Sequence, residues 1–575
     1  MKKSSKHLGI AVSNGYGLGN AYIVNEPDLF FEEKRTTSKD AEISRFSNAL
    51  NDFKKQIHDD LNEAKSLPLG DEIKILEGQS AIADDPSVYE DTLGLISKGL
   101  TAEAAIGTIC DKYISLFSQM EDEIFSQRAF DVKDFKTRIL HILLRVTEPD
   151  ISALNEKSVL ITKELTPSLA GKLSNKNIAG VITQAGGKNG HAAIILRSLE
   201  IPAVFGVDDI INKIAENDYV ILDGCTGDVF IMPDALTINE YNEKKYLYLQ
   251  EKEEYQKFAG KETKTSDNVS LKIYCNKIGR ASCRDAPAFI QSSAEGVGLF
   301  RTEFLYLNSS SPLSEDHQFE IYKRILLAAK DKEVIIRTAD LGADKSLDTA
   351  LTKKENNPFM GQRGIRYSLN HKEMFKAQLK ALLRAGIYGN LKIMLPLICT
   401  YDEVLETKAL ILECKNTLSS QNIPYKENLS VGIMVETAAA SVISDILSGI
   451  SDFFSIGSND LAGYTMSADR TNPYVSDLCS VYEPAVLRSI KNIIINAKNA
   501  GIPVGLCGEA AGDLLLTPLF IAYGLEEFSV SPTNVLSLRA VISKWSVNEA
   551  KEVEKAVSKL NTRDEVEKYL KSVKR

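Results

Sequence analysis

A chain of 575 residues is too long for a single hydrophobic core, so about three or four domains are expected. Its hydrophobic share of 44% and charged share of 25% are those of an ordinary globular protein, and no apolar run approaches the ~20 residues of a membrane-spanning helix. A net charge of −10 argues against nucleic acid or anionic membrane as partners, and the eight scattered cysteines form neither a CxxC pair nor a zinc spacing. With no long apolar signal core near the start, a cytoplasmic setting with reduced thiols is expected.

In chain order, GIAVSNGYGLGNAYIV is apolar and punctuated by glycine, which reads as a pair of strands. The pattern then turns helical from about Glu32 to Thr147. Ile106, Ile109, Cys110, Tyr113, Phe117 and Met120 fall on one helix face, with Thr101 as its expected N-cap, and Asp85-Pro86 opens another helix. Strands and helices alternate through SVLITKELTPSLAGKL, NIAGVITQAGGKNGHAAIILRSLEIPAVFG and DYVILDGCTGDVFI, a compact α/β unit. Residues 238 to about 258, rich in Lys, Glu and Tyr, read as an exposed connecting helix.

The remainder repeats one theme. Strand-like runs occur at SLKIYCN, GVGLFRT, VIIRTAD, LKIMLPLI, SVGIMVET, FFSIGSND, PVGLCGE and FSVSP, separated by helix-length segments, and eight such alternations predict a (β/α)8 barrel. Functional groups of such barrels lie at the C-terminal strand ends, which here carry Asn276, Arg301 with Glu303, Arg337 with Asp340, Glu436, Asn459 with Asp460, and Cys507 with Glu509. Guanidinium forks grip phosphate and carboxylate oxygens, and Glu436 with Asp460 offers hard oxygen ligands for Mg²⁺. Arg470 can reach back from the next loop. The combination suits a phosphorylated carboxylate chelated to a divalent cation.

In QAGGKNGHAAIILRSLE a glycine-rich turn joins a strand to a helix, and His191 stands at the helix start. Free backbone N–H groups and the positive helix end favour a phosphoryl group there and should lower the imidazole pKa. On spacing alone the signal is weak, and a histidine at a helix start is more often a cap than a nucleophile.

Several blocks are far more specific: GVGLFRTEFLYL (296–307), IIRTADLGADK (335–345), NPFMGQRGIR (357–366), GIMVETAAA (432–440), DFFSIGSNDLAGYTMSADR (452–470), GLCGEAAGD (505–513) and SQRAFDVKDFKTRIL (126–140). With them the chain resembles, over nearly its whole length, the phosphoenolpyruvate-protein phosphotransferases, Enzyme I of the sugar phosphotransferase system. The resemblance implies a multidomain α/β protein. Residues 1–31 and 148–236 would form a swivelling phosphohistidine domain, and 32–147 a helical insert that docks the carrier protein HPr. Residues 237–261 would link it to a phosphoenolpyruvate-binding (β/α)8 barrel, 262–575, that also makes a homodimer. His191 becomes the phosphorylated nucleophile. Arg301, Arg337 and Arg470 become the substrate clamp with Asn459, while Lys345 and Arg363 line the same cavity. Glu436 and Asp460 become Mg²⁺ ligands, Asp460 also bordering the substrate, and Cys507 the acid that protonates the enolate.

The chain departs from the family where Thr-Ser usually precedes the histidine: here stand Asn189 and Gly190. Ser13-Asn14-Gly15 replaces a common Ser-Pro-Gly, and Gly463 stands where Gln is frequent. Gly190 cannot hydrogen-bond as a hydroxyl would, so slower transfer through His191, or an atypical carrier, is expected. A dikinase or synthase of the same donor would need a nucleotide-binding domain, and no GxxxxGK[ST] motif precedes the histidine loop.

Overall fold

The computed structural model describes residues 4–24, 36, 38–64, 78–118, 123–145, 157–165, 169, 173, 177–187, 191–278, 292–307, 313–342, 355–470, 472 and 474–575. They fall into two compact units, Met1–Lys252 and Glu253–Arg575.

The first unit is built on an eight-stranded sheet: β1 (Ser5–Leu8), β2 (Ile10–Ser13), β3 (Tyr16–Val24), β4 (Ser158–Thr162), β5 (Ile178–Thr183), β6 (Ala203–Phe205), β7 (Tyr219–Asp223) and β8 (Asp228–Ile231), in the order β1-β8-β7-β3-β4-β5-β6-β2. Strands β3 to β6 run parallel, the others antiparallel. Strand alternation decides the two faces. Leu160 and Val181 look to one core, with Ala193 and Leu196 of the helix His191–Ser198. Val159, Ile161 and Ile182 look to the other, with Ile210 and Ile214. Both faces are covered, so β4 and β5 are buried along their whole length.

Between β3 and β4 the chain forms the helices Lys39–Ala64, Pro86–Ser97, Ala102–Ser118 and Glu123–Leu144 around Phe46, Phe53, Ile106, Phe135 and Ile139. Asp85 caps its helix as expected, accepting from the Ser87 amide at 2.8 Å with proline in the first turn. Ile106, Ile109 and Cys110 are buried; Met120 lies outside the described residues. Thr101 does not cap. Its hydroxyl has no hydrogen-bond partner, and the Ala102 amide donates instead to Glu42 Oε2 of the first helix at 2.8 Å. A carboxylate at a helix start neutralises the same exposed N–H groups, and it also ties two helices together.

The charged stretch forms the helix Ala235–Gln256, and one of its faces is not exposed. Tyr241 is 4% exposed and packs with Leu18 and Ile221, its ring 6.0 Å from Tyr16. Tyr248, seven residues on and therefore on the same face, meets Tyr16 edge-on at 5.9 Å. Lys252 pairs with Glu200.

The second unit is a closed barrel of eight parallel strands: β9 (Lys272–Ile278), β10 (Gly296–Arg301), β11 (Glu333–Arg337), β12 (Asn390–Leu395), β13 (Ser430–Val435), β14 (Phe454–Ile456), β15 (Val504–Leu506) and β16 (Glu527–Val530). Each of the eight predicted runs supplies one strand. Period-2 alternation again separates the layers. Leu299, Ile335, Met394, Met434 and Cys507 meet inside with Phe453, while Val334, Ile336, Ile393 and Ile433 pack outward against the helices. Buried Arg539 closes the barrel's rim: it donates to the Phe258 and Ser293 carbonyls and to Thr263 Oγ1. Among the described residues, no helix is long and apolar enough to cross a membrane.

Candidate active site

The expected strand-end residues do stand at one end of the barrel. Arg301 and Arg337 are the last residues of β10 and β11, Glu436 follows β13, Asn459 and Asp460 follow β14, and Cys507 follows β15. Their charges form a chain. Arg337 Nη2 reaches Glu303 Oε1 at 2.5 Å and Asp340 Oδ2 at 3.2 Å. Arg363 takes the other side of Asp340, Nε to Oδ1 at 3.1 Å, and then Asp460 Oδ2 at 3.0 Å through Nη2. Arg470 Nη2 lies 4.0 Å from Asp460 Oδ1. Acid and base therefore alternate as Glu303, Arg337, Asp340, Arg363, Asp460, Arg470.

Burial works against the charge on Arg337, but Glu303, Asp340 and Glu436 outweigh it and hold the guanidinium above its ordinary pKa. Its Nε has no hydrogen-bond partner, and Nη1 rests 3.5 Å from Met434 Sδ. Arg363 is fully buried, and Asp340 and Asp460 likewise overcome its desolvation. Every nitrogen of its guanidinium is engaged by Asp340, Asp460 or Tyr464. Arg363 thus braces the two carboxylates.

Glu436 is 1% exposed. One oxygen accepts the Leu397 amide at 2.8 Å, and the other, Oε2, is buried without a hydrogen-bond partner. Burial first, then the charge of Asp460, pushes its carboxyl up to about 7. Burial would raise Asp460 too, but Arg363 and Arg470 hold it below its ordinary value. Two neighbouring carboxylates, one ionised and one with an orphaned oxygen, are a donor set that a hard divalent cation would complete. Among the described residues no group of three or more His, Cys, Asp or Glu side chains is arranged to hold a metal ion.

Asn459 Oδ1 accepts the Glu509 amide at 2.9 Å, which fixes which end of its side chain can donate. Cys507 is 2% exposed and its Sγ lies 3.6 Å from the Ile456 carbonyl. Burial pushes the thiol up to about 11, so it carries its proton at neutral pH. Asn276 is a staple: its Nδ2 donates to the carbonyls of Cys507 and Ser529 at 3.0 and 3.1 Å.

His191 is the first residue of the helix His191–Ser198, and Gly186 before it has φ +115°, a conformation that glycine adopts without strain. Asn189, Gly190 and Lys345 lie outside the described residues. Sequence reasoning missed Gln378, Thr302 and Tyr464. The available signal for Gln378 was its place among Phe375, Leu379 and Leu382 on the buried face of the helix Lys372–Ala385.

Family models match three segments: a PEP-utilising enzyme N-terminal domain over residues 8–128, a mobile domain over 154–227 and a PEP-binding domain over 252–547. The phosphoenolpyruvate-protein phosphotransferase of Staphylococcus carnosus (strain TM300) is 38% identical over 569 residues, covering 98% of this chain and 99% of its own. That of Bacillus subtilis (strain 168) is 39% identical over 565 residues, 98% of each chain. Among solved structures, an NMR solution structure of an Enzyme I (nEIt) protein covers 42% of this chain and 99% of its own, at 30% identity and a TM-score of 0.38. Matched over 98% of its length by these relatives, and by the three domain models in chain order, the chain belongs to the phosphoenolpyruvate-protein phosphotransferase family.

Proposed function

We propose that this enzyme takes the phosphoryl group of phosphoenolpyruvate onto His191, releases pyruvate and passes the group to a small phosphocarrier protein of the HPr kind, the first step of sugar uptake by the phosphotransferase system. The observation that carries the reading is the barrel mouth, where Arg337 and Arg470 stand in one chain of ion pairs beside a buried carboxylate with an orphaned oxygen, and where Arg301 ends the neighbouring strand. Arg301, Arg337 and Arg470 would neutralise the donor's phosphate and carboxylate, with the Asn459 amide as a further donor. Phosphoryl transfer rests on such positioning and charge neutralisation more than on covalent help.

Mg²⁺ held by Glu436 and Asp460 would supply charge neutralisation on the donor's oxygens. The P–O bond to the enol oxygen breaks as a P–N bond to the His191 imidazole forms. The enolate then takes a proton at carbon from the Cys507 thiol, which burial keeps protonated. Lys345 would border the same cavity. Residues 32–147 would receive the carrier, and a swivel of the histidine domain would join the two half-reactions. Exposed Leu405, Leu412, Val442 and Ile446 on the barrel's outer helices offer apolar surface that a homodimer would cover.

The test is incubation with radiolabelled phosphoenolpyruvate and Mg²⁺ in the absence of ATP. Acid-labile, base-stable label on the wild type and none on His191→Ala is expected. Label that persists in the variant would put the phosphoryl group on another residue.

A further inference from the structure

Behind the barrel mouth lies a closed polar relay in otherwise apolar surroundings. Gln378 spends its whole amide on it. Oε1 accepts the Ala339 amide at 3.0 Å, and Nε2 donates to Thr302 Oγ1 and to the Tyr322 hydroxyl, each at 3.1 Å. Thr302 Oγ1 donates onward to the Arg337 carbonyl at 2.9 Å. On the other side the Tyr322 and Tyr306 hydroxyls donate to Gln318 Oε1 at 3.1 and 3.0 Å, and Gln318 Nε2 donates to the Leu313 carbonyl at 3.3 Å. Thr302, Gln318, Tyr322 and Gln378 are all at most 1% exposed. The pattern admits one orientation of the Gln378 amide, since the flipped side chain would set its NH2 against the Ala339 N–H.

Buried polar side chains add little net stability over a well-packed apolar core, because each gives up its hydrogen bonds to water. A fully satisfied network does fix geometry. This one is tied to the mouth at three points, each beside a charged residue. Thr302 stands between Arg301 and Glu303, the Arg337 carbonyl belongs to a site residue, and Ala339 precedes Asp340. Asp340 in turn is held by Arg337 and Arg363, and Arg363 holds Asp460. We infer that Gln378 is a positioning residue: with Thr302 it locks the ends of β10 and β11 to the outer helices, and so sets where Arg337 and Asp340 stand at the mouth. The inference rests on the functional reading only for its effect on turnover; its structural half stands independently.

The test uses the full-length enzyme in two measurements, with Gln378→Met, the shape-matched Thr302→Val, and Ile490→Ala as a destabilised control from a buried site in another barrel helix. Hydrogen exchange of the backbone amides around 338–340 should quicken about tenfold or more in both relay variants relative to the control. Pyruvate release from phosphoenolpyruvate should fall in kcat by about tenfold or more, with a smaller change in KM, because a displacement of ~1 Å near a reacting group costs up to ~100-fold. Combining Gln378→Met with Asp340→Asn should give less than the product of the two separate losses, since one acts through the other. Unaltered exchange at 338–340, multiplicative losses in that cycle, or kcat within about twofold of wild type in both folded relay variants overturns the inference. A wild type that releases no pyruvate would count against the proposed function alone, and the exchange measurement would still decide the positioning claim.

Discussion

Arg363 grips Asp460 with two hydrogen bonds, Nη1 to Oδ1 at 3.3 Å and Nη2 to Oδ2 at 3.0 Å, while its Nε and Nη2 also hold Asp340. Asp460 would otherwise stand beside Glu436 and Asp340 with the more distant Arg470 to offset them. Replacing Arg363 by Met breaks its buried ion pairs with Asp340, which keeps Arg337, and with Asp460. Breaking such a pair costs about 3–5 kcal/mol. A matching loss is expected in urea unfolding of the barrel, together with weaker activation by Mg²⁺. A variant as stable as wild type would show that the brace is dispensable.

Barrel strands were legible because each is a short apolar run, and the charged or amide residues at or near the C-terminal ends of six of the eight marked the mouth. What the ends do to one another was not legible. Arg363 comes from the loop after β11, and its grip on Asp460, across 97 positions of chain, depends on barrel closure. Local rules also mislead where a distant residue does the same work. Thr101 has the right type for a cap, but Glu42 takes the Ala102 amide. The helix Ala235–Gln256 looks uniformly polar, and only the sheet beneath it reveals why Tyr241 and Tyr248 share a face. Gln378 is a polar residue in an apolar stripe, a local inconsistency of the kind that functional sites produce.

Cys507 offers a direct test of the protonation step. Removing a general acid costs about 10²–10⁴-fold, so Cys507→Ala should slow pyruvate release by about that factor while the fold persists. A thiol pushed up to about 11 holds its proton through neutral pH and well above it. The wild-type rate should therefore show no fall between about pH 6 and 9 that Cys507→Ser abolishes. Full activity in Cys507→Ala would return the residue to the role of core filler, to which its contacts with Met434 and Phe453 also fit it.

Asn189 and Gly190 stand where the family usually has Thr-Ser, and neither carries a hydroxyl. Restoring the pair by Asn189→Thr with Gly190→Ser should speed phosphoryl transfer from His191 to HPr, because a hydroxyl adds a hydrogen bond and a non-glycine residue narrows the loop's conformations. Rapid-quench measurement of the transfer step should show a several-fold gain. Equal rates would mean that the loop does not limit transfer.

Glu527 sets a pH dependence that has nothing to do with catalysis. Its carboxyl fills space left by two barrel glycines: an added Cβ on Gly298 would stand 2.8 Å from Glu527 Oε1, and one on Gly505 would stand 3.2 Å from it. Burial first, then repulsion by Glu333, pushes the carboxyl from about 4.5 up to about 8. Lys392 relieves this only in part, since it is already paired with Glu333 at 2.8 Å. A carboxyl whose folded pKa is raised favours folding while protonated. Its contribution is full below pH ~4.5, fades as pH rises towards 8, and is lost above it. The barrel's melting temperature should therefore fall between about pH 5 and 9 more steeply in wild type than in Glu527→Gln, which stays neutral throughout. For a unit of this size each kcal/mol is worth about 2–4 °C, so a gap of several degrees should open at the alkaline end. Parallel melting curves for the two proteins across that range would mean that water reaches the carboxyl after all.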